Sequence, residues 1–166
     1  MPPPFSILSG DDGSTLARMQ DAAVRADGVV SVASNLVPDA VRAMVDAARD
    51  GAWARARSLD AQLRPLFDSL TIRVEEETPL GPVTVTSRNP VPIKSALALV
   101  GMPGGACRPP LGRLSPRGLE RLTGSLAQMH REAPSVLDPV ASTFGVDLAH
   151  RLSDPAFRVG LAYDHY

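Results

Sequence analysis

With 166 residues, 44% of them apolar and 21% charged, the chain can bury one core, and its length favours a single soluble globular protein. Acids and bases are interleaved at a formal charge of −1, which leaves no electrostatic footprint for nucleic acid or an anionic membrane, and Cys107 as the only cysteine excludes an intrachain disulfide or a multi-cysteine metal site. The opening Met1-Pro2-Pro3-Pro4 has no basic leader region and no apolar run reaches the roughly 18 residues of a membrane span, so a cytoplasmic location is expected.

Phe5 to Leu8 is a short apolar run closed by Ser9-Gly10-Asp11-Asp12-Gly13, the pattern of a buried strand entering a polar loop. A helix capped by Asp12 or Ser14 should follow, with Leu16, Met19, Ala22 and Ala23 at helical spacing until Ala26-Asp27-Gly28. The β-branched stretch from Gly28 to Ala33 predicts a second strand, and Pro38 suits the first turn of a helix running to about Arg49 on Val41, Met44, Val45 and Ala48. A further helix is expected from about Ala52 to Leu70, kinked or shortened at Pro65 because proline lacks a backbone donor.

Thr71-Ile72-Arg73-Val74-Glu75 and Pro82-Val83-Thr84-Val85-Thr86 alternate apolar with polar and predict a β-hairpin, with Glu75-Glu76-Glu77 on its solvated rim. Asn89-Pro90-Val91-Pro92 is expected to be irregular, Ile93 to Val100 helical, and Pro103 to Pro110 a loop. Ser115-Pro116 opens a helix containing Leu119, Leu122, Leu126 and Met129; the tail predicts one helix from Val136 to Leu152 and another after Ser153-Asp154-Pro155. Met19, Met44, Trp53 and Leu63 read as core.

Strand, loop, helix, strand, helix is the βα rhythm of a parallel α/β fold. Within it stand Ile7-Leu8-Ser9-Gly10-Asp11-Asp12, Gly28-Val29-Val30-Ser31-Val32-Ala33-Ser34-Asn35, Asn89-Pro90-Val91-Pro92-Ile93-Lys94 and Arg108-Pro109-Pro110-Leu111. In this order they resemble the "LSGDD", "GVISVTAN", "NPIPVK" and "LRLPL" segments of the dihydrodipicolinate synthase family, from about Phe5 to about Leu126. The resemblance implies a partial (β/α)8 TIM barrel: residues 1–50 as its last two βα units, 51–127 as the helical carboxy-terminal domain with an inserted hairpin at 71–87, and 128–166 as an unmatched tail. It also implies a pyruvate lyase that condenses pyruvate with aspartate semialdehyde in lysine biosynthesis. Such enzymes form an imine on a barrel lysine and relay protons through a tyrosine and a threonine of "YNxP" and "GxTGE" segments.

None of those catalytic segments occurs in the chain. Lys94, the only lysine, matches a lysine of the helical domain, and Tyr163 and Tyr166 lie in the tail. The resemblance therefore implies no catalytic residue here, no cofactor and no metal, and the chain is expected to be inactive alone. Gly10 and Val30 would line the pyruvate pocket at the strand ends, once the barrel is complete. Asp11 and Asp12 read as helix caps, His130, His150 and His165 as surface residues, and Lys94 as an exposed helical lysine. Two functions stay open: part of a pyruvate lyase whose remaining barrel is a separate polypeptide, or a non-catalytic remnant or assembly module. Unpaired strand edges call for self-association or a complementary half.

Overall fold

In the computed structural model, which describes residues 5–104 and 106–165, the first strand is shorter than its apolar run. The opening Met1-Pro2-Pro3-Pro4, one residue of the expected 103–110 loop, and Tyr166 lie outside the described residues. β1 (Leu8–Ser9) pairs in parallel with β2 (Gly28–Val29), Leu8 opposite Gly28 and Ser9 opposite Val29. Between them a 3-10 turn at Asp12–Ser14 leads into α1 (Thr15–Gln20). Asp11, and not Asp12 or Ser14, caps this entry: its carboxylate accepts from the Gly13 amide at 3.1 Å and the Ser14 hydroxyl at 3.1 Å.

Two expected elements end early for local reasons. α1 stops before Ala26 because the Asp21 carboxylate accepts the Ala23 amide and its carbonyl accepts the Arg25 amide, each at 2.8 Å. This local turn competes with the next helical turn, and Arg25 is left at φ 48°. β2 stops at Val29 because Ser31, Val32 and Ala33 turn their donors to the Asp12 carboxylate, and the chain bends into a 3-10 turn at Ala33–Asn35.

α2 (Pro38–Arg49) and α3 (Trp53–Phe67) follow the helical spacing and pack on one another. Val41, Met44, Ala47 and Ala48 are buried on the first, Ala56, Leu63, Leu66 and Phe67 on the second. α3 passes through Pro65 and ends two residues later, where the Ser69 hydroxyl donates to the Pro65 carbonyl at 2.7 Å. The hairpin is longer than expected: β3 (Thr71–Thr78) and β4 (Gly81–Arg88) are antiparallel, Thr71 opposite Arg88, and turn at Pro79-Leu80 with Gly81 at φ 109°.

Glu76 corrects the reading of the acidic run as solvated. Glu75 and Glu77 are exposed, but Glu76 is buried, on the same strand face as Ile72. Its carboxylate accepts the Arg117 amide at 2.7 Å, inside the first turn of α5 (Pro116–Glu132), where a helix leaves its amides unpaired. Arg117 in turn donates to the Glu75 carbonyl at 2.7 Å, so the hairpin is fastened to the start of α5.

α4 (Val91–Leu99) takes in part of the segment expected to be irregular, since Pro92 sits in the first turn, where no backbone donor is needed. The tail helix expected from Val136 to Leu152 is two helices, α6 (Pro134–Phe144) and α7 (Leu148–Ser153). Gly145 ends α6 in the left-handed region at φ 61°, and the Asp147 carboxylate starts α7 by accepting the His150 amide at 3.0 Å. A 3-10 turn at Pro155–Arg158 follows.

The fully buried side chains Leu36, Met44, Leu63, Leu66, Ile72, Leu99, Leu114, Leu122, Leu126, Met129 and Leu137 form one core, walled by α2 to α6 and β3. Met19 and Trp53 are partly buried, packed on Ala47, Ala48 and Ala56. The tail is tied to this body through Arg151, which donates to the carbonyls of Leu99 and Ala98, both at 2.9 Å, and lies 4.2 Å over the Phe157 ring. It thereby caps the carbonyl end of α4 with a cation. Gly101, at φ 89°, makes room: an added Cβ would lie 2.8 Å from Val146 Cγ1 and 3.0 Å from Arg151 Nε. Gly101→Ala is expected to destabilise the fold by about 2 kcal/mol or more. Arg151→Met should cost about 2 kcal/mol, both read from urea unfolding followed by circular dichroism.

Candidate functional site

The carboxyl ends of β1 and β2 open side by side. The Val30 amide donates to the Ser9 carbonyl at 2.8 Å, continuing the parallel ladder one step past β2. Ser9 is buried, and its hydroxyl donates to the Asp11 carbonyl at 3.0 Å, which curls the loop back on itself at Gly10. Asp12, 4% exposed, reaches across to the second loop. Its carboxylate accepts from the Ser31 hydroxyl, the Val32 amide at 2.9 Å and the Ala33 amide at 3.3 Å. The expected capping role holds for Asp11 on its own turn, whereas Asp12 does not cap the helix that follows it and instead accepts the Val32 and Ala33 amides at the turn after β2.

Gly10 and Val30, expected at the strand ends, are both exposed there, Val30 at 66%. A Cβ added to Gly10 would meet no atom within 4 Å among the described residues, and its φ is outside the left-handed region, so none of those residues demands a glycine at that position. Leu8 on β1, and Phe5 and Ile7 just before it, are exposed as well, so the strand pair has open edges and an apolar surface at its amino side too.

The remaining candidates lie elsewhere. Lys94, in α4 and partly buried where an exposed side chain was expected, donates to the Ala106 carbonyl at 3.0 Å. Tyr163 lines the same hollow as Lys94, while Tyr166 falls outside the described residues. His150 and His165 are exposed, whereas His130 is partly buried on α5, its Nδ1 buried and without a hydrogen-bond partner among the described residues. Among the described residues no three metal-ligating side chains gather. Ser9 and Ser31 were not singled out in the sequence; the one available signal was Ser31 itself, a hydroxyl interrupting a β-branched run.

The Dihydrodipicolinate synthetase family model matches residues 1–129. Among characterised proteins, the 4-hydroxy-tetrahydrodipicolinate synthase of Thermomicrobium roseum is 40% identical over 135 residues, which are 81% of this chain and 39% of that protein. That of a Synechocystis species is 41% identical over 128 residues, 77% of this chain and 37% of that protein. The solved 4-hydroxy-tetrahydrodipicolinate synthase from Methylacidiphilum fumariolicum SolV superposes with a TM-score of 0.66 at 38% identity, covering 84% of this chain and 41% of that one. The chain thus spans about two-fifths of the length of these relatives.

Because Asp12 holds both strand ends, Asp12→Ala is expected to destabilise the strand pair and its two loops by about 3 kcal/mol, leaving Ser31 and two amides without their acceptor. Gly10→Ala should change stability by less than about 0.5 kcal/mol. Hydrogen exchange of the Val30, Val32 and Ala33 amides, which reads the opening of this region, checks the first value, and urea denaturation checks the second.

Proposed function

Since the chain belongs to the dihydrodipicolinate synthetase family, we propose that it is the carboxy-terminal part of a pyruvate-dependent lyase of the 4-hydroxy-tetrahydrodipicolinate synthase type, acting in lysine biosynthesis. In this reading residues 1–50 are the last two βα units of a TIM barrel. Residues 51–127 are its helical domain with the hairpin inserted at 71–87, and 128–166 is an added tail. The lyase is cytoplasmic and condenses pyruvate with aspartate semialdehyde. The imine-forming lysine comes from barrel units outside these 166 residues, and the chain alone is inactive.

The observation that carries this reading is the open end of the β1–β2 pair. Two short parallel strands with Leu8 half exposed and Val30 two-thirds exposed are not a finished sheet, because βα units bury both faces of their strands. A complementary barrel half would supply the neighbouring strands and the walls of a pyruvate pocket against Gly10 and Val30. The glycine supports this: no atom of the described residues needs its missing side chain, whereas a substrate at that strand end would. The second reading, a non-catalytic assembly module, draws on the same exposed surface and requires only that the chain pair with itself.

Two measurements separate them. Purified chain treated with pyruvate and borohydride is expected to gain no stable adduct, because Lys94 donates to the Ala106 carbonyl and is engaged away from the strand ends. Addition of an amino-terminal barrel half from a 4-hydroxy-tetrahydrodipicolinate synthase should then produce an adduct on that half. A mass increase at Lys94 itself would overturn the assignment. Sedimentation velocity at micromolar concentration is expected to show a dimer or larger species that binds hydrophobic dye. A compact monomer without dye binding would speak against both readings of the open strand pair.

A further inference from the structure

A cavity of about 630 Å3 lies between α4, the loop around Ala106 to Arg113, and the tail segment Gly160 to Tyr163. That volume is in the range of small-molecule sites. Its apolar lining includes Val91, Ala98, Leu111 and Leu161. Lys94 and Arg113 add two cations, and among the described residues no carboxylate lines the cavity or forms an ion pair with either of them. The Ala106 carbonyl that receives the Lys94 ammonium at 3.0 Å positions the charge without neutralising it. Ser95, 7% exposed, contributes a hydroxyl that has no hydrogen-bond partner among the described residues.

The third wall is held in place by backbone. The Leu114 amide donates to the Leu161 carbonyl at 3.1 Å, and the Tyr163 amide to the Leu114 carbonyl at 3.0 Å, a single parallel bridge. Gly112 admits the tyrosine ring so closely that a Cβ there would lie 1.9 Å from the Tyr163 hydroxyl. This wall comes from beyond residue 129, where the family match ends, so the shared function of the family does not account for the enclosure.

We propose that this cavity binds a small organic anion, a carboxylate carried on an aromatic or branched apolar body. The carboxylate sits between Lys94 and Arg113 and takes the Ser95 hydroxyl as a further donor, while the body lies on the apolar lining. Lys94, partly buried, and Arg113, exposed at the rim, have no counter-charge among the described residues and so favour an anion over its neutral isostere, and charge-assisted hydrogen bonds give the head group its orientation. Apolar lining around a few convergent polar groups is the usual composition of such sites.

Cys107 provides the readout, because it lines the cavity and is the only thiol in the chain. Iodoacetamide alkylates it: the thiolate sulfur forms a bond to the methylene carbon, iodide leaves with the bonding pair, and the thiol proton goes to solvent. The rate is followed by intact mass in the presence of naphthoate or of the neutral naphthamide. Naphthoate is expected to slow alkylation about fivefold at saturation, and naphthamide to do so only at concentrations about tenfold higher. Lys94→Met and Arg113→Met should each weaken the protection by naphthoate about tenfold. Ala98→Phe, which fills the cavity from α4, should abolish it with helicity and melting temperature retained. The comparison of the two probes on the unaltered chain needs no variant to fold. Equal protection by naphthamide, no protection by naphthoate at millimolar concentration, or undiminished protection in folded Lys94→Met and Arg113→Met would overturn the proposal.

Discussion

One buried carboxylate holds the front of the molecule together. Asp12 sits at the start of the first loop, and its acceptors are filled by a hydroxyl and two amides of the second. A buried polar group is tolerated only when its hydrogen bonds are made, so the two loops take their shapes together or not at all. The bend after β2, the brevity of that strand and the emergence of Gly10 beside Val30 all descend from this contact. The two-stranded sheet has few ladder bonds of its own, and the side-chain bridge gives it a defined end.

The helical part rests on a different device. Its core is a continuous apolar cluster, and the chain's later segments are fastened to it through helix ends: Glu76 at the start of α5, Arg151 at the end of α4. Charges of the appropriate sign meet the first-turn amides of one helix and the last carbonyls of the other. The hairpin and the tail are thus joined by the same physical means at opposite helix termini, and both also reach the core, the hairpin through Ile72 and the tail through Val136 and Leu137.

Helices with a clear apolar stripe were legible from the sequence: α2 and α5 begin at Pro38 and Pro116 as spacing and proline predict. The parallel pairing of the two short strands was legible as well, from the βα rhythm. What spacing could not disclose were contacts between distant residues. Asp12 drawing three donors from Ser31 to Ala33 shortens a strand whose β-branched composition is otherwise sound, and Glu76 is buried because a helix start lies across from it. The break at Gly145 was available locally and was outweighed by the apolar residues on either side of it. At the strand ends Gly10 and Val30 were placed through resemblance. The cavity beside Lys94 was beyond sequence reading, since its third wall arrives from residues after 129.

The core lies among the helices and β3, while β1 and β2 stand at its margin with Leu8 and Val30 in solvent. Cooperativity is therefore divided. Opening the strand pair breaks a short ladder and the Asp12 bridge without dissolving the helical cluster, so it is a local event with a lower free energy than global unfolding. A neighbour that docks on these strands must meet part of the entropy of ordering them. A neighbour at this edge would be selected by backbone register and loop shape, with modest affinity for the area covered.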